Sequence, residues 1–166
     1  MDYNRIQRLF IKLFKPVISL SEELDKNKRY ILVGNRIGKY DPVLISLING
    51  NIKFLLQEDS FFYRNLNRAI IDLSNNNIEN LRKAFVETVD SNISCVFPLN
   101  KDDEIEKNNY YELLLRGQKY IIPFAIKGSY KIDDDLILKL GHSFLASDYN
   151  VDLQQKINSE VKKLIR

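Results

Sequence analysis

The chain has 166 residues, 45% hydrophobic and 28% charged, as is typical of one soluble globular domain. A net charge of +3 is too small to indicate a nucleic-acid partner, and the single cysteine, Cys95, excludes an internal disulfide. Because there is neither a secretory signal nor an apolar run near the roughly 18 residues of a membrane span, we expect a cytoplasmic protein or one on a cytosolic membrane face.

The first predicted element is a basic amphipathic helix within residues 1–16, which Pro16 ends. Its apolar side chains recur at the spacing of one helix face, and they are Ile6, Leu9, Phe10, Leu13 and Phe14. Its basic side chains are Arg5, Arg8, Lys12 and Lys15. Either the helix covers the sheet with its basic residues in water, or it lies on an anionic membrane with Phe10 and Phe14 at the acyl boundary. The two aromatic residues and the uniform sign of the charge favour the membrane.

Short apolar runs alternate with segments of helical periodicity through the rest of the chain. The predicted strands cover residues 30–33, 52–56, 69–71, 93–97, 120–126 and 136–140. One predicted helix begins at Asp41, and the others cover residues 58–64, 77–89, 110–115 and 152–165. Residues 136–140 alternate between apolar and polar side chains, which is typical of an edge strand. The alternation of strands and helices predicts an α/β fold over residues 1–166, a single domain with a mainly parallel sheet flanked by helices.

Residues 35–42 lie between the first of these strands and the helix at Asp41, and they read Asn-Arg-Ile-Gly-Lys-Tyr-Asp-Pro. This segment resembles the first signature of the glycerolipid acyltransferases of the 1-acylglycerol-3-phosphate acyltransferase type, Asn-His-x-Ser-x-x-Asp-Pro. In that family the His is the general base that activates a hydroxyl, and the Asp orients it. Here Arg36 stands at the His position and Gly38 at the Ser position. An arginine stays protonated at physiological pH, so it cannot accept a proton.

Two later segments resemble the second and third signatures but lose their polar residues. In residues 69–75, Leu73 stands where the family has an Arg that binds the phosphate of the acceptor. In residues 96–102, Leu99 and Asn100 stand where the family has Glu-Gly. The resemblance therefore implies that the phosphate-binding and third-signature functions are lost together with the base.

The positions that form the frame of the motifs are retained. Residues 121–128 resemble the fourth signature, an apolar strand around a proline, and the four segments follow the order and spacing of the family over residues 31–128. The retained residues are Asn35, Asp41, Pro42, Phe97, Pro98 and Pro123. This pattern predicts the acyltransferase fold without intact catalytic residues.

The resemblance implies transfer of an acyl chain from an acyl thioester, either acyl-CoA or acyl carrier protein, to a glycerol-phosphate acceptor at the cytosolic membrane face, without a metal or other cofactor. Because the catalytic positions are replaced, we predict a pseudoenzyme of phospholipid metabolism, a peripheral membrane protein that binds a lipid, an acyl thioester or a protein partner. The alternative is an active acyltransferase with non-standard chemistry, in which an arginine stabilises developing negative charge.

The presumed groove is formed by residues of the four segments. Its lining consists of the degenerate positions Leu73 and Asn100 together with Gly38, Lys39, Pro98 and Pro123. Arg36 has two interpretations, an ion pair with Asp41 that stiffens the loop, or a binding site for a phosphate or carboxylate. Asp41 is most simply the N-cap of the helix that follows, with Pro42 as its first helical residue.

Three other features carry simpler interpretations. His142 is the single histidine, and we predict a surface or turn residue there because the resemblance places no catalytic group at that position. The acidic residues 133–135 lack the glycine and glutamate of a calcium loop, so they are predicted to form a solvated turn. Cys95 lies in an apolar run and is predicted to be a buried core residue.

Overall fold

The computed structural model describes residues 3–56, 70–72, 92–96, 120–149 and 152–166 together with positions 79, 82, 86 and 90. Within these ranges the helices are α1 (Tyr3–Phe14), α2 (Asp41–Ile45) and α3 (Leu153–Ile165). The strands are β1 (Val17–Leu20), β2 (Tyr30–Gly34), β3 (Lys53–Leu56), β4 (Ile70–Asp72), β5 (Ile93–Val96), β6 (Tyr120–Gly128), β7 (Leu136–Leu140) and β8 (Phe144–Leu145).

One sheet contains all eight of these strands, in the order β1-β7-β6-β2-β5-β3-β4, with β8 paired to β6. Among the described strands, five pairings are parallel, and those of β6 with β7 and with β8 are antiparallel. The predicted α/β fold with a mainly parallel sheet is therefore confirmed. The middle strands β2 and β5 are buried throughout, as expected of parallel strands that are covered on both faces.

The two faces of the sheet carry separate apolar cores. One core joins Leu32 and Phe124 to residues of α1 and α2, including Phe10 and Leu44. The other joins strand residues to α3, and its buried members are Ile31, Val33, Leu55, Val96, Ile121, Ala146, Leu153 and Ile157. Because successive strand residues point to opposite faces, Ile31 and Leu32 belong to different cores although they are adjacent in sequence.

Residues 136–140 form a strand as predicted, but the prediction that this strand lies at the edge of the sheet is wrong. β7 lies between β1 and β6, and β1, which the sequence analysis did not identify, is the outer strand. Leu136, Leu138 and Leu140 are buried while the residues between them are half-buried. The alternation in β7 therefore reflects unequal cover on the two faces of the sheet and not a free edge.

Pro123 lies inside β6 and is buried, so the prediction that it lines a groove is wrong. Its carbonyl accepts the Gly141 N–H at 2.8 Å, on the edge of β6 that faces β7 and β8. β8 pairs with Tyr120 and Ile121, whereas β7 pairs from Phe124 onwards. Pro123 thus lies at the point where the partner of β6 changes from β8 to β7. A proline, which has no N–H, can stand there without breaking a hydrogen bond of either ladder.

Several predicted elements fall partly or wholly outside the described residues. The predicted helices at 58–64 and 110–115 lie there entirely. For the predicted helix at 77–89, the described positions 79, 82, 86 and 90 are helical and exposed. Among the described residues, no helix is long and apolar enough to cross a membrane.

Candidate functional site

The loop between β2 and α2 begins at Asn35, whose side chain is held by the neighbouring strand. Its amide nitrogen donates to the Ile126 carbonyl at 2.8 Å, and the Ile126 N–H donates to its Oδ1 at 2.7 Å. The last backbone pair of β2 and β6 is Gly34 with Phe124, so the Asn35 amide extends this ladder with a side chain. Because the Asn35 amide supplies both a donor and an acceptor to the same residue, it fixes where the loop leaves the sheet.

Asp41 is completely buried beneath the loop, with 0% exposure. Its Oδ2 accepts the backbone N–H of Ile37 at 2.9 Å and that of Gly38 at 3.1 Å. Its Oδ1 accepts the Gly38 N–H at 3.2 Å and the hydroxyl of Tyr130. The carboxylate therefore bonds the loop that precedes it, and the N-cap residue of α2 is Tyr40. The prediction that Asp41 caps the helix is wrong, although Pro42 does lie in the first turn.

Burial and hydrogen bonding have opposite effects on the ionisation of Asp41. The pKa of Asp41 is raised to about 6, because the effect of burial exceeds that of the hydrogen bonds from Tyr130, Gly38 and Ile37, which lower it. The positive charge of Arg36 also lowers this pKa. Desolvation is the largest of these effects, so the buried carboxyl takes up a proton more readily than an exposed aspartate.

Tyr130, in the turn between β6 and β7, was not identified in the sequence analysis. Its ring centroid lies 5.4 Å from that of Tyr40, 5.8 Å from that of Phe14 and 6.0 Å from that of Phe10. A Cβ atom at Gly38 would lie 3.1 Å from two carbons of the ring. Since Tyr130 is 89 residues from Asp41 in sequence, no local pattern could have indicated their contact.

Helix α1 covers the loop, and this overturns one prediction for its aromatic residues. Phe10 is only 5% exposed and belongs to the core beside Val43 and Leu44, and Phe14 is partly buried with its ring 4.9 Å from that of Phe10. Phe10 therefore cannot be at the acyl boundary, because its ring packs on the protein's own core.

The outward side of α1 is apolar as well as basic. Leu9 is 52% exposed, Ile11 48% and Leu13 42%. The next element continues this exposure, since Val17 and Leu20 of β1 are 59% and 47% exposed. The predicted basic residues of the segment are all exposed, and they are Arg5, Arg8, Lys12 and Lys15.

The remaining predicted groove residues are only partly described. Lys39 is exposed, with its Nζ 5.2 Å from the centroid of the Tyr40 ring. Leu73, Pro98, Leu99 and Asn100 lie outside the described residues. The third segment leaves β5 at Val96, which is in register with Val33. It therefore begins at the same edge of the sheet as the loop, and this edge is where parallel α/β sheets bind ligands.

His142 and the acidic turn match their simpler interpretations. The His142 Nδ1 lies 3.6 Å from a carboxylate oxygen of Glu22, and its side chain is 77% exposed, so the predicted surface histidine is confirmed. Asp133, Asp134 and Asp135 are all exposed, as predicted for a solvated turn. Within the described part of the chain, no three histidine, cysteine or acidic residues come together to hold a metal ion. Cys95 is buried as predicted, and burial raises the pKa of its thiol.

Comparisons with known proteins identify the fold. No protein-family model and no curated protein sequence matches the chain. Among solved structures, the chain is similar to the crystal structure of the 1-acyl-sn-glycerophosphate (LPA) acyltransferase PlsC from Thermotoga maritima, with a TM-score of 0.62 and 14% identity. The similarity covers 98% of this chain and 78% of that one. The chain therefore has the α/β fold of this acyltransferase, and the resemblance first seen in the four sequence segments is confirmed at the level of the fold.

Proposed function

We propose that this chain is a catalytically inactive protein with an acyltransferase fold, which binds a lipid, an acyl thioester or a partner protein at the cytosolic surface of an anionic membrane. The observation that carries the proposal is the state of the Arg36–Asp41 motif. Arg36 stands where the resemblance requires a base, and the Asp41 carboxylate is 0% exposed.

The chemistry of the motif supports inactivity. A general base needs a lone pair within about 3 Å of the proton that it removes, and a guanidinium has none to offer. The pKa of Asp41, at about 6, would suit a base. However, both its oxygens are engaged by the loop and by Tyr130, so a substrate hydroxyl cannot reach them.

The surface of α1 supports the membrane role by a different route from the one the sequence suggested. Leu9 and Leu13 share one stripe of the helix with Arg5, since these residues are four apart. Arg8 and Lys12 form the stripe beside it. Apolar side chains next to uniformly basic ones favour an anionic bilayer, because each basic residue near such a surface contributes about 1 kcal/mol and binding grows with the apolar area buried.

The test pairs an acyl-transfer assay with vesicle co-sedimentation. Purified protein is given acyl-CoA and a lysophosphatidate, and separately vesicles of phosphatidylcholine alone or with phosphatidylglycerol. We expect no acyl transfer, and binding to the anionic vesicles that salt weakens.

A matched pair of variants locates the membrane surface. The double substitution Leu9→Ser with Leu13→Ser should weaken vesicle binding. Val86→Ser is the control, because Val86 is an exposed apolar residue (55%) outside α1, and it should leave vesicle binding unchanged. Equal binding of both variants would contradict the assignment to α1. Acyl transfer that is lost on Asp41→Ala would instead establish the alternative of an active enzyme.

A further inference from the structure

The hydroxyl of Tyr130 donates a hydrogen bond to the Asp41 carboxylate. In a catalytic dyad, the base itself would donate to that carboxylate. In a His–Asp dyad the carboxylate accepts a hydrogen bond from the imidazole, and this bond orients the ring. Here Ile37 and Gly38 supply backbone N–H groups to Asp41 from within the loop itself. Among the described residues, Tyr130 is the side chain that donates to this carboxylate.

The residue at position 38 fits the presence of this ring. The resemblance places a serine there, and the chain has glycine. A Cβ atom at Gly38 would lie 3.1 Å from both Cδ2 and Cε2 of Tyr130, closer than an ordinary van der Waals contact. A side chain at position 38 and the Tyr130 ring in its present place are thus difficult to accommodate together.

The ring cannot easily move away from this position. Phe10, Phe14 and Tyr40 all lie in aromatic contact with Tyr130. The helix that carries Phe10 and Phe14 is fastened in turn, because the Gln7 amide donates to the Ser46 carbonyl at 3.1 Å and to the Ser46 hydroxyl at 3.0 Å. The Tyr130 ring is therefore packed between α1 and the loop.

We propose that the Tyr130 hydroxyl occupies the acceptor position on the Asp41 carboxylate that a catalytic base would use. A residue from the turn between β6 and β7 thereby blocks that position. Tyr130 is on this view a positioning residue for Asp41. The inference rests on the proposed function only in treating Arg36 as the replacement of a base. It implies that restoring a histidine at position 36 does not rebuild a dyad while the Tyr130 hydroxyl remains.

The test measures the ionisation of an introduced histidine by NMR and needs no enzyme activity. Arg36→His is compared with Arg36→His combined with Tyr130→Phe, which keeps the ring and removes the hydroxyl. Arg36→His combined with Tyr40→Phe is the control, since it removes a hydroxyl from the same aromatic cluster. The native His142, whose side chain is 77% exposed and lies beside Glu22, serves as an internal reference.

We expect the histidine at position 36 to titrate about one pH unit higher in the variant with Tyr130→Phe than in Arg36→His alone, because the freed carboxylate can then accept its N–H. The Tyr40→Phe control should match Arg36→His. Equal pKa values with and without the Tyr130 hydroxyl would overturn the proposal.

A second measurement covers the case in which the histidine variants fail to fold. The Asp41 carboxyl is followed by ¹³C NMR in the unmodified protein and in Tyr130→Phe. Among the described residues, the charge that acts on it is that of Arg36, and the nearby Cys95 thiol stays neutral because burial raises its pKa; the substitution changes neither residue. The hydrogen bond from Tyr130 lowers the Asp41 pKa, so we expect that pKa to rise above about 6 when Tyr130→Phe removes the bond. An unchanged value would refute the role of Tyr130. Neither result depends on acyl transfer or vesicle binding, so the failure of this proposal is distinguishable from failure of the proposed function.

Discussion

At Asp41 the free-energy cost of burying the charged carboxylate exceeds the stabilisation that its hydrogen bonds provide. Two loop residues and the Tyr130 hydroxyl donate to the carboxylate, yet its pKa is about 6, against an ordinary value of 3.8. The bonds hold the loop in one conformation and do not fully replace the water that the carboxylate has lost. The retained aspartate is therefore explained by the geometry of the loop, at some expense in stability near neutral pH.

The pH dependence of unfolding tests this account. Between about pH 4 and pH 6 the native Asp41 keeps a proton that the unfolded chain has released, so this residue lowers stability as pH rises through that window. A difference of about 2 pH units corresponds to about 3 kcal/mol. In urea unfolding, the stability of the unmodified protein relative to Asp41→Asn should fall by about this amount between pH 4 and pH 7. Parallel pH profiles of the two proteins would contradict the assignment.

Two buried serines form a matched pair for a second test. The Ser94 hydroxyl lacks a hydrogen-bond partner among the described residues, whereas that of Ser46 donates to Val43 at 2.6 Å and accepts from Gln7 at 3.0 Å. Ser94→Ala should therefore be neutral or stabilising by about 1 kcal/mol, because it removes an unsatisfied polar group. Ser46→Ala should cost about 1 kcal/mol. Urea unfolding of both variants gives the comparison, and equal losses would show that Ser94 is satisfied in solution.

At the scale of elements, α1 has two apolar surfaces with separate tasks. The inner surface, with Phe10 and Phe14, closes over the loop and Tyr130. The outer surface, with Leu9, Ile11 and Leu13, faces solvent. The sequence shows one amphipathic pattern, and it cannot reveal which apolar residues the protein keeps for its own core.

Alanine substitutions on the two surfaces of α1 should separate these tasks. Phe10→Ala should destabilise the protein by about 3–5 kcal/mol, because it opens a cavity at a core residue. Leu13→Ala, at a position that is 42% exposed, should change stability by about 0.5 kcal/mol or less. Both are measured by urea unfolding. A large loss from Leu13→Ala would mean that the outer surface is also packed in solution.

The elements that the sequence predicted correctly are those with an unambiguous burial pattern. The run Ile31–Val33 is apolar at every position, as a strand covered on both faces requires. β1 has no such pattern, since three of its four side chains are exposed. The place of Asp41 at the site was predictable from its motif, but its hydrogen-bonding role depends on a turn near residue 130 that only the folded sheet brings to it.

At the scale of the molecule, the candidate site and the interior strands form one unit. The loop leaves β2 at the sheet edge where β5 also ends, and β5 lies between β2 and β3. The Asp41 carboxylate is close enough to Cys95 in β5 for its charge to raise the pKa of the thiol. Exposure of the site from the side of the core would thus require α1 and α2 to separate from the sheet.

The reactivity of Cys95 reports whether such opening occurs locally. Its side chain is 0% exposed, and Leu32 and Phe54 are its register partners on the two neighbouring strands. Since the thiol faces the core that α1 and α2 cover, and strands flank β5 on both sides, we expect labelling by an aromatic disulfide to proceed only through global unfolding. We expect the free energy of opening from labelling rates, referenced to the unfolded chain, to equal the free energy of unfolding, with the same dependence on urea. Labelling that does not respond to urea would show that β5 is reached by a local opening and that the site can be exposed without unfolding the sheet.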